Sequence, residues 1–283
     1  MLMVERRMSI SVIGEYEREL VCAEKAPRTV LQYRRAVQRF YLWLPQDKAV
    51  TREAALAYKA ILQQQQKATS VNTTLAALNS FFQFLGWTEL LMKPLKTQRK
   101  IFCDEDRELA YQDYLKLVET AEAASKPRLS LILQTIACTG IRVSELRAIT
   151  VESIQKQCTV VSCKGKIRTI LLPGKLCRKL QKYARRNGLY SGPVFVTRSG
   201  EPLDRGNIWA DMKKLCGKAG VDPHKVFPHN LRHLFARRYY EQHRDLSKLA
   251  DILGHSSINT TRIYIITSAR EHAVQIEELG LVI

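Results

Sequence analysis

The segment His229-Asn230-Leu231-Arg232-His233 follows Pro228 and opens a helix, and its i, i+3 spacing puts His229 and Arg232 on one helical face. At a helix N-terminus, where backbone N–H groups point outward, such a pair suits a phosphate oxygen. Earlier in the chain, Thr139-Gly140-Ile141-Arg142-Val143-Ser144-Glu145-Leu146 places Arg142 in the first turn of another helix. Glu145, three residues on, is able to hold its guanidinium fork, and Gly140 supplies a turn that aims the arginine inward. In Leu253-Gly254-His255-Ser256-Ser257, Gly254 suits a left-handed helix cap and Ser256 or Ser257 the start of the next helix, so His255 is pinned in a tight corner. Tyr264 follows within Ile263-Tyr264-Ile265-Ile266, while Lys164 and Lys166 flank Gly165 at a hairpin tip. Taken singly, each feature also fits an ordinary role: a surface ion pair, a core aromatic or a solvated loop.

The elements that must position these groups follow from hydrophobic periodicity. Val12, Ile13, Tyr16 and Leu20 recur at helical spacing, as do Leu31, Val37, Phe40, Tyr41 and Leu44 after Pro27, which suits a first helical turn. Thr51 is expected to cap a helix running to about Gln65, and Ser70 another that carries Leu75, Leu78, Phe82 and Leu85 before Gly86 ends it. On the second of these four helices Arg28, Arg35 and Arg39 share a face opposite the apolar stripe, either a solvated face or a set of phosphate contacts. From Trp87 to Asp106 periodicity fails, and Lys93, Pro94, Lys96, Arg99 and Lys100 suggest an extended basic linker at the domain boundary. Helices around 111–123 and 127–138, a break at Gly140 and a short helix from Arg142 to about Ile149 come next. A β-hairpin of Thr159–Ser162 and Arg168–Leu172 then turns about Lys164-Gly165-Lys166. The remainder reads as helix, apart from a short strand at Pro193–Val196. The expected fold is mostly α: an all-helical domain at 1–86, the linker at 87–106, and a mainly helical α/β domain with a small antiparallel sheet at 107–283.

With 283 residues, 46% of them hydrophobic, the chain can build two cores and is not intrinsically disordered. Its 45 Lys and Arg against 27 Asp and Glu leave a net charge of +18. Residues 1–100 hold 16 basic and 8 acidic side chains, the rest 29 and 19, so both halves are suited to one polyanion, which sheds counterions as its phosphates are neutralised. The cysteines at 22, 103, 138, 158, 163, 177 and 216 are odd in number and scattered, without zinc-ligand spacing, which suggests reduced thiols and no metal. No apolar run is long enough to span a membrane and Met1–Met8 lacks a signal-peptide core, so a cytoplasmic location is expected.

In the order Arg142, Lys164, His229, Arg232, His255, Tyr264, the chemistry-bearing residues resemble the tyrosine recombinase (phage integrase) family of site-specific DNA recombinases. The resemblance covers nearly the whole chain. It rests on the box at 139–146, Cys163-Lys164-Gly165-Lys166, the box at 229–233, Leu253-Gly254-His255 and Thr260-Thr261-Arg262-Ile263-Tyr264, with Pro27-Arg28-Thr29 and Tyr33 similar to the start of the family's N-terminal core-binding domain. Leu234 departs from the threonine found in many members, a matter of packing more than chemistry. The resemblance implies that Tyr264 attacks a DNA phosphodiester to form a 3′-phosphotyrosine, without ATP, metal or cofactor. It further implies that Arg142 and Arg232 with the flanking histidines stabilise the phosphoryl oxygens, that Glu145 supports Arg142, that His229 assists proton transfer at Tyr264, and that Lys164, or failing it Lys166, protonates the leaving 5′ oxygen. DNA contacts are expected at Arg28, Arg35, Arg39, Lys93, Lys96, Arg99, Lys100 and Lys166. The implied partner is duplex DNA with paired recombination sites, bound by a homo-tetramer. A C-terminal helix carrying Ala273, Ile276 and Leu279 would then dock on a neighbouring subunit or complete its own core. Integration, excision and resolution all remain open as the biological role. A non-catalytic DNA-binding protein that kept the fold is the alternative, which would not need Tyr264 and Lys164.

Overall fold

Residues 6–96, 107–163, 166–264, Val274 and 277–279 are described by a computed structural model. The chain divides into two compact units, Met1–Arg99 and Lys100–Ile283. In the first, α1 (Ile10–Cys22), α2 (Pro27–Trp43), α3 (Arg52–Gln65) and α4 (Ala68–Phe84) surround an aromatic core. Pro27 opens α2, and the Thr51 hydroxyl accepts from the Ala54 N–H at 3.1 Å, capping α3 as its sequence suggests. Tyr16, Phe40, Phe81 and Phe82 are fully buried, with Tyr16 edge-on to Phe81 at 5.2 Å and Phe40 edge-on to Phe82 at 5.8 Å. Each such ring contributes roughly 1.5–3 kcal/mol through burial.

Two expectations for this unit need correcting. Ser70 does not cap α4: Lys67 precedes the helix in extended conformation, and the Ser70 N–H already bonds back to the Lys67 carbonyl inside the first turn. Leu31 leaves the apolar stripe of α2 and stands 43% exposed among the arginines. Beyond α4, a one-turn 3₁₀ helix (Thr88–Leu90) leads into residues 91–96, expected as the first half of an open linker. Here they are tied to α4. Asn79 and Asn72, two turns apart on that helix, each give and take a backbone bond, at Met92 (2.8 and 2.9 Å) and at Leu95 (3.0 and 2.7 Å), and Leu90 and Met92 are buried.

The second unit contains α5 (Tyr111–Ala123), α6 (Pro127–Thr139), a 3₁₀ helix (Val143–Ala148), α7 (Val151–Lys156) and an antiparallel hairpin of β1 (Cys158–Cys163) and β2 (Lys166–Leu171). It continues through α8 (Gly174–Arg186), α9 (Arg205–Ala219), α10 (Pro228–His243), α11 (Leu246–Leu253) and α12 (Ile258–Arg262). Helix α6, apolar on nearly every side, runs through the core, with Leu129, Ile132, Leu133 and Ile136 buried and α5, α8 and α10 packed round it. Hairpin register puts Val161 and Ile170 inward and leaves Val160, Ile167 and Leu171 exposed. The expected helix from Arg142 is a 3₁₀ helix that starts one residue later, because Arg142 is held extended as its cap. Pro193–Val196 forms no strand, only isolated bridges from Pro193 to Thr150 and from Val196 to Pro202. Among the described residues no helix is long and apolar enough to cross a membrane.

Gly140 ends α6 in the left-handed region (φ +63°), where a Cβ would lie 2.6 Å from Phe235 Cδ1 and 2.9 Å from Leu253 Cδ2. Gly140→Ala therefore combines backbone strain with overpacking and should lower stability by about 2–4 kcal/mol. Denaturant melts check this; a loss under about 0.5 kcal/mol would show that the site adapts.

Candidate active site

Arg232, at the start of the second turn of α10, is a buried cation at 2% exposure, with no carboxylate paired to it among the described residues. Its guanidinium donates to the Gly140 carbonyl, to the Leu253 carbonyl at 2.6 Å and to His255 Nε2 at 3.0 Å. Gly140 caps the C-terminus of α6, and Leu253 is the last residue of α11. Two helix C-termini, the negative ends of their dipoles, thus converge on one positive charge. Burial, followed by repulsion from Arg142, still lowers its pKa to about 10, so it stays charged at neutral pH.

Arg142 sits just past Gly140, its side chain about one-third exposed. The Glu145 carboxylate turns back, accepting from the Arg142 N–H at 2.9 Å and from the Arg142 guanidinium at 3.0 Å. In return the Glu145 N–H donates to the Arg142 carbonyl at 2.8 Å, and this exchange holds Arg142 as the cap. Burial works to raise the Glu145 pKa, but the Arg142 N–H and the charge of Arg168 outweigh it and hold the carboxyl below its ordinary range. Arg168, on β2, is the third cation here: it donates to Glu145 Oε2 at 2.6 Å and to the Ile252 carbonyl at 2.7 Å. Three arginines and one glutamate leave the site net positive.

Tyr264 is 6% exposed and packs with Ala236, Leu249 and Leu253. Three imidazoles surround its ring: His233 at 4.2 Å, His255 stacked at 5.3 Å and His229 edge-on at 5.5 Å between centroids. Because arginine only donates, His255 Nε2 must accept, which places its proton on Nδ1, 2.8 Å from Thr261 Oγ1. Burial first, then the arginine charges, lowers the His255 pKa to about 4; burial, His229 and Arg232 lower that of His233 to about 3. His229 moves down too, by burial and then by Arg232 and Arg142. All three are neutral at pH 7.

A cleft of about 510 Å³ opens over this cluster, lined by Arg142, His229 and Arg232 and by Ile141, Ser144, Arg205, Trp209 and Phe227 among others. The structure therefore brings Arg142, Glu145, His229, Arg232, His255 and Tyr264 together. Lys164 lies outside the described residues, as do Arg99, Lys100, Ala273 and Ile276. Lys166 opens β2, though its side chain is outside the description; Leu279 is exposed. In the first unit Arg28, Arg35 and Arg39 share a groove of about 750 Å³ with Leu31, Gln32 and Leu42, while Lys93 and Lys96 are exposed. Sequence reasoning missed Arg168, His233, Arg205 and Trp209. For His233 a signal existed, since i, i+4 from His229 is the same helical face; for Arg168 only its inward register on β2 pointed the way. Among the described residues no group of three His, Cys, Asp or Glu side chains could hold a metal ion.

A model of the phage integrase family matches residues 107–271, and one of the phage integrase N-terminal SAM-like domain matches residues 13–89. The chain is 30% identical to tyrosine recombinase XerA of Pyrococcus furiosus, over 99% of this chain and 97% of that protein. It is 29% identical to tyrosine recombinase XerD of Halalkalibacterium halodurans, over 92% and 88%. Among solved structures it is similar to a XerA recombinase (TM-score 0.53, 25% identity, 94% and 97% covered). It shares its fold with a lambda integrase (75-356) dimer bound to a COC′ core site (TM-score 0.71, 20% identity, 90% and 94% covered).

A histidine whose folded-state pKa lies below its unfolded one stabilises the fold above about pH 6.5, and that stabilisation is lost as pH falls toward the folded value. For His233 the loss is about 1.4 kcal/mol per pH unit below 6.5. Thermal melts at pH 7, 6 and 5 should show falling stability, with a shallower slope for His233→Gln. An unchanged slope in that variant would remove His233 as a source.

Proposed function

The chain belongs to the phage integrase family and is a tyrosine recombinase, a site-specific enzyme that breaks and rejoins DNA; from that premise we propose that Tyr264 is its nucleophile and that Arg142 and Arg232 hold the scissile phosphate. The observation that carries this reading is the Tyr264 ring packed against His229, His233 and His255, the last bonded to Arg232, beside a cleft lined by Arg142, His229 and Arg232. The phenolic oxygen of Tyr264 attacks phosphorus, the P–O5′ bond breaks, and the phosphoryl group stays on the tyrosine as a 3′-phosphotyrosine. Neutral His229 takes the phenolic proton, while the two arginines stabilise the charge that grows on the non-bridging oxygens, Arg232 being held in place in part by His255. Glu145 keeps Arg142 in place. Lys164 protonates the departing 5′ oxygen, by resemblance to the family, and the reverse sequence rejoins the strands.

Duplex DNA is the substrate. The groove of Arg28, Arg35 and Arg39, with Lys93, Lys96, Arg99, Lys100 and Lys166, supplies phosphate contacts, since three exposed arginines on one helix face neutralise phosphates at any sequence. In this reading 1–86 is the core-binding domain, onto which the segment to Lys96 packs, the rest of 87–106 is the basic linker and 107–283 the catalytic domain. Four copies act in the cytoplasm on two paired sites, and the segment carrying Ala273, Ile276 and Leu279 docks on a neighbouring subunit. The role is integration and excision of a mobile element, or resolution.

Tyr264→Phe should bind DNA nearly as well as wild type yet form no covalent adduct on a suicide substrate nicked beside the cleavage site; adduct at the wild-type level would remove Tyr264 from the mechanism. Arg142→Lys should cleave at least about 10²-fold more slowly, because an ammonium cannot reproduce the guanidinium fork. Lys164→Ala should cleave an ordinary phosphodiester slowly and recover on a 5′-bridging phosphorothiolate, whose sulfur leaves without a proton. Recovery by Lys166→Ala instead would move the acid two residues along the hairpin.

A further inference from the structure

Arg168 touches three parts of the second unit at once. From β2 it reaches Glu145, at 2.6 Å, and the Ile252 carbonyl near the end of α11, at 2.7 Å. Its side chain also covers Gly254 so closely that a Cβ there would collide with Arg168 Cδ, and Gly254 is in the left-handed region (φ +63°). The partners on either side belong to the site itself. Glu145 holds Arg142, and the turn just after Ile252 supplies the Leu253 carbonyl to Arg232 and carries His255.

We infer that Arg168 is a positioning residue that sets Arg142 and the Leu253-Gly254-His255 corner in register with each other, acting through Glu145 and the Ile252 carbonyl without touching DNA. The inference rests on the reading that Arg142 and Arg232 hold the scissile phosphate. Two physical arguments support it. The two guanidinium nitrogens of Arg168 reach acceptors on separate elements, a reach a single ammonium lacks. Its charge also shares the Glu145 carboxylate with Arg142; without Arg168 the whole carboxylate charge falls on Arg142 and competes with a phosphate for that fork. A nearly buried arginine (11% exposed) is thus part of the anion site's geometry while being shut off from the cleft lining.

Arg168→Met keeps the stem over Gly254 and removes the fork; Arg168→Lys keeps the charge. Single-turnover cleavage is measured on suicide DNA with either a phosphate or an uncharged methylphosphonate at the scissile position, next to DNA binding and thermal melts. The expected result for Arg168→Met is DNA binding within about 3-fold of wild type and cleavage of the phosphate slowed about 10²-fold. The defect should shrink to a few-fold on methylphosphonate, and adding Glu145→Gln should slow the reaction little further. Arg168→Lys should show a smaller defect with the same relief, and serves if the Met variant fails to fold. Equal defects on the two substrates, or a Glu145→Gln effect that multiplies fully with that of Arg168→Met, would overturn the inference. Arg142→Ala is run alongside: if it shows no substrate dependence, the phosphate-holding reading fails, separately from the role of Arg168.

Discussion

A buried guanidinium that no carboxylate among the described residues pairs with is the constraint from which the second unit's architecture follows. Moving an unpaired charge out of water costs several kcal/mol even after relaxation, so Arg232 is tolerated only where other dipoles replace the solvent. Here they are the carbonyl ends of α6 and α11, which must arrive from opposite sides of the chain's order and meet within bonding range of one side chain. Each of those ends needs a sharp stop in left-handed conformation. Gly140 and Gly254 provide it, and both lie so close to neighbouring side chains that no Cβ fits. Helix α11 in turn carries Leu249 and Leu253, the apolar floor on which Tyr264 rests, and the corner after Gly254 sets His255. Anchoring the arginine and placing the nucleophile are therefore one structural act.

The electrostatic result is a site poised for an anion. Arg142, Arg168 and Arg232 outnumber Glu145, and burial first, then the surrounding positive charge, lowers the pKa of Arg232 and keeps three imidazoles neutral. A phosphodiester entering the cleft relieves that repulsion, and the gain grows as negative charge builds on phosphorus-bound oxygens during attack by the phenolate. The same step raises the affinity of the histidines for a proton, so phosphate binding and the removal of the Tyr264 proton reinforce one another. One carboxylate shared by two arginines keeps Arg142 oriented without neutralising it, which is what an anion-binding fork requires.

Features governed by a few adjacent residues were legible in the sequence. Gly140 as a helix break, Gly254 as a cap, His229 and Arg232 on one face of α10, the pairing of β1 with β2 and Thr51 as a cap all follow from local conformational rules, and the net charge of +18 pointed to a polyanion. Expectations failed where tertiary contact overrode local preference. Arg142 left the helical first turn because Glu145 captured its N–H, Ser70 fell inside α4 because the chain turned at Lys67, and Leu31 lost its place in the core to the arginine groove. Arg168 was hidden for the same reason: its partners are 23 and 84 residues away, and nothing in its immediate neighbours announces them. Residues 91–96 looked like open linker because the asparagines that hold them belong to α4.

The central claim is that burial and the arginine field together keep the imidazoles neutral until a phosphate's charge offsets the arginine part. Its most direct test is a nitrogen-15 NMR titration of His255 in Tyr264→Phe protein, free and bound to duplexes it recognises that carry either a phosphate or an uncharged methylphosphonate at the scissile position. The account predicts a pKa of about 4 in the free protein, a rise of more than a unit with the phosphate duplex, and little rise with the methylphosphonate duplex. An equal shift with both duplexes, or an ordinary histidine pKa in the free protein, would contradict it.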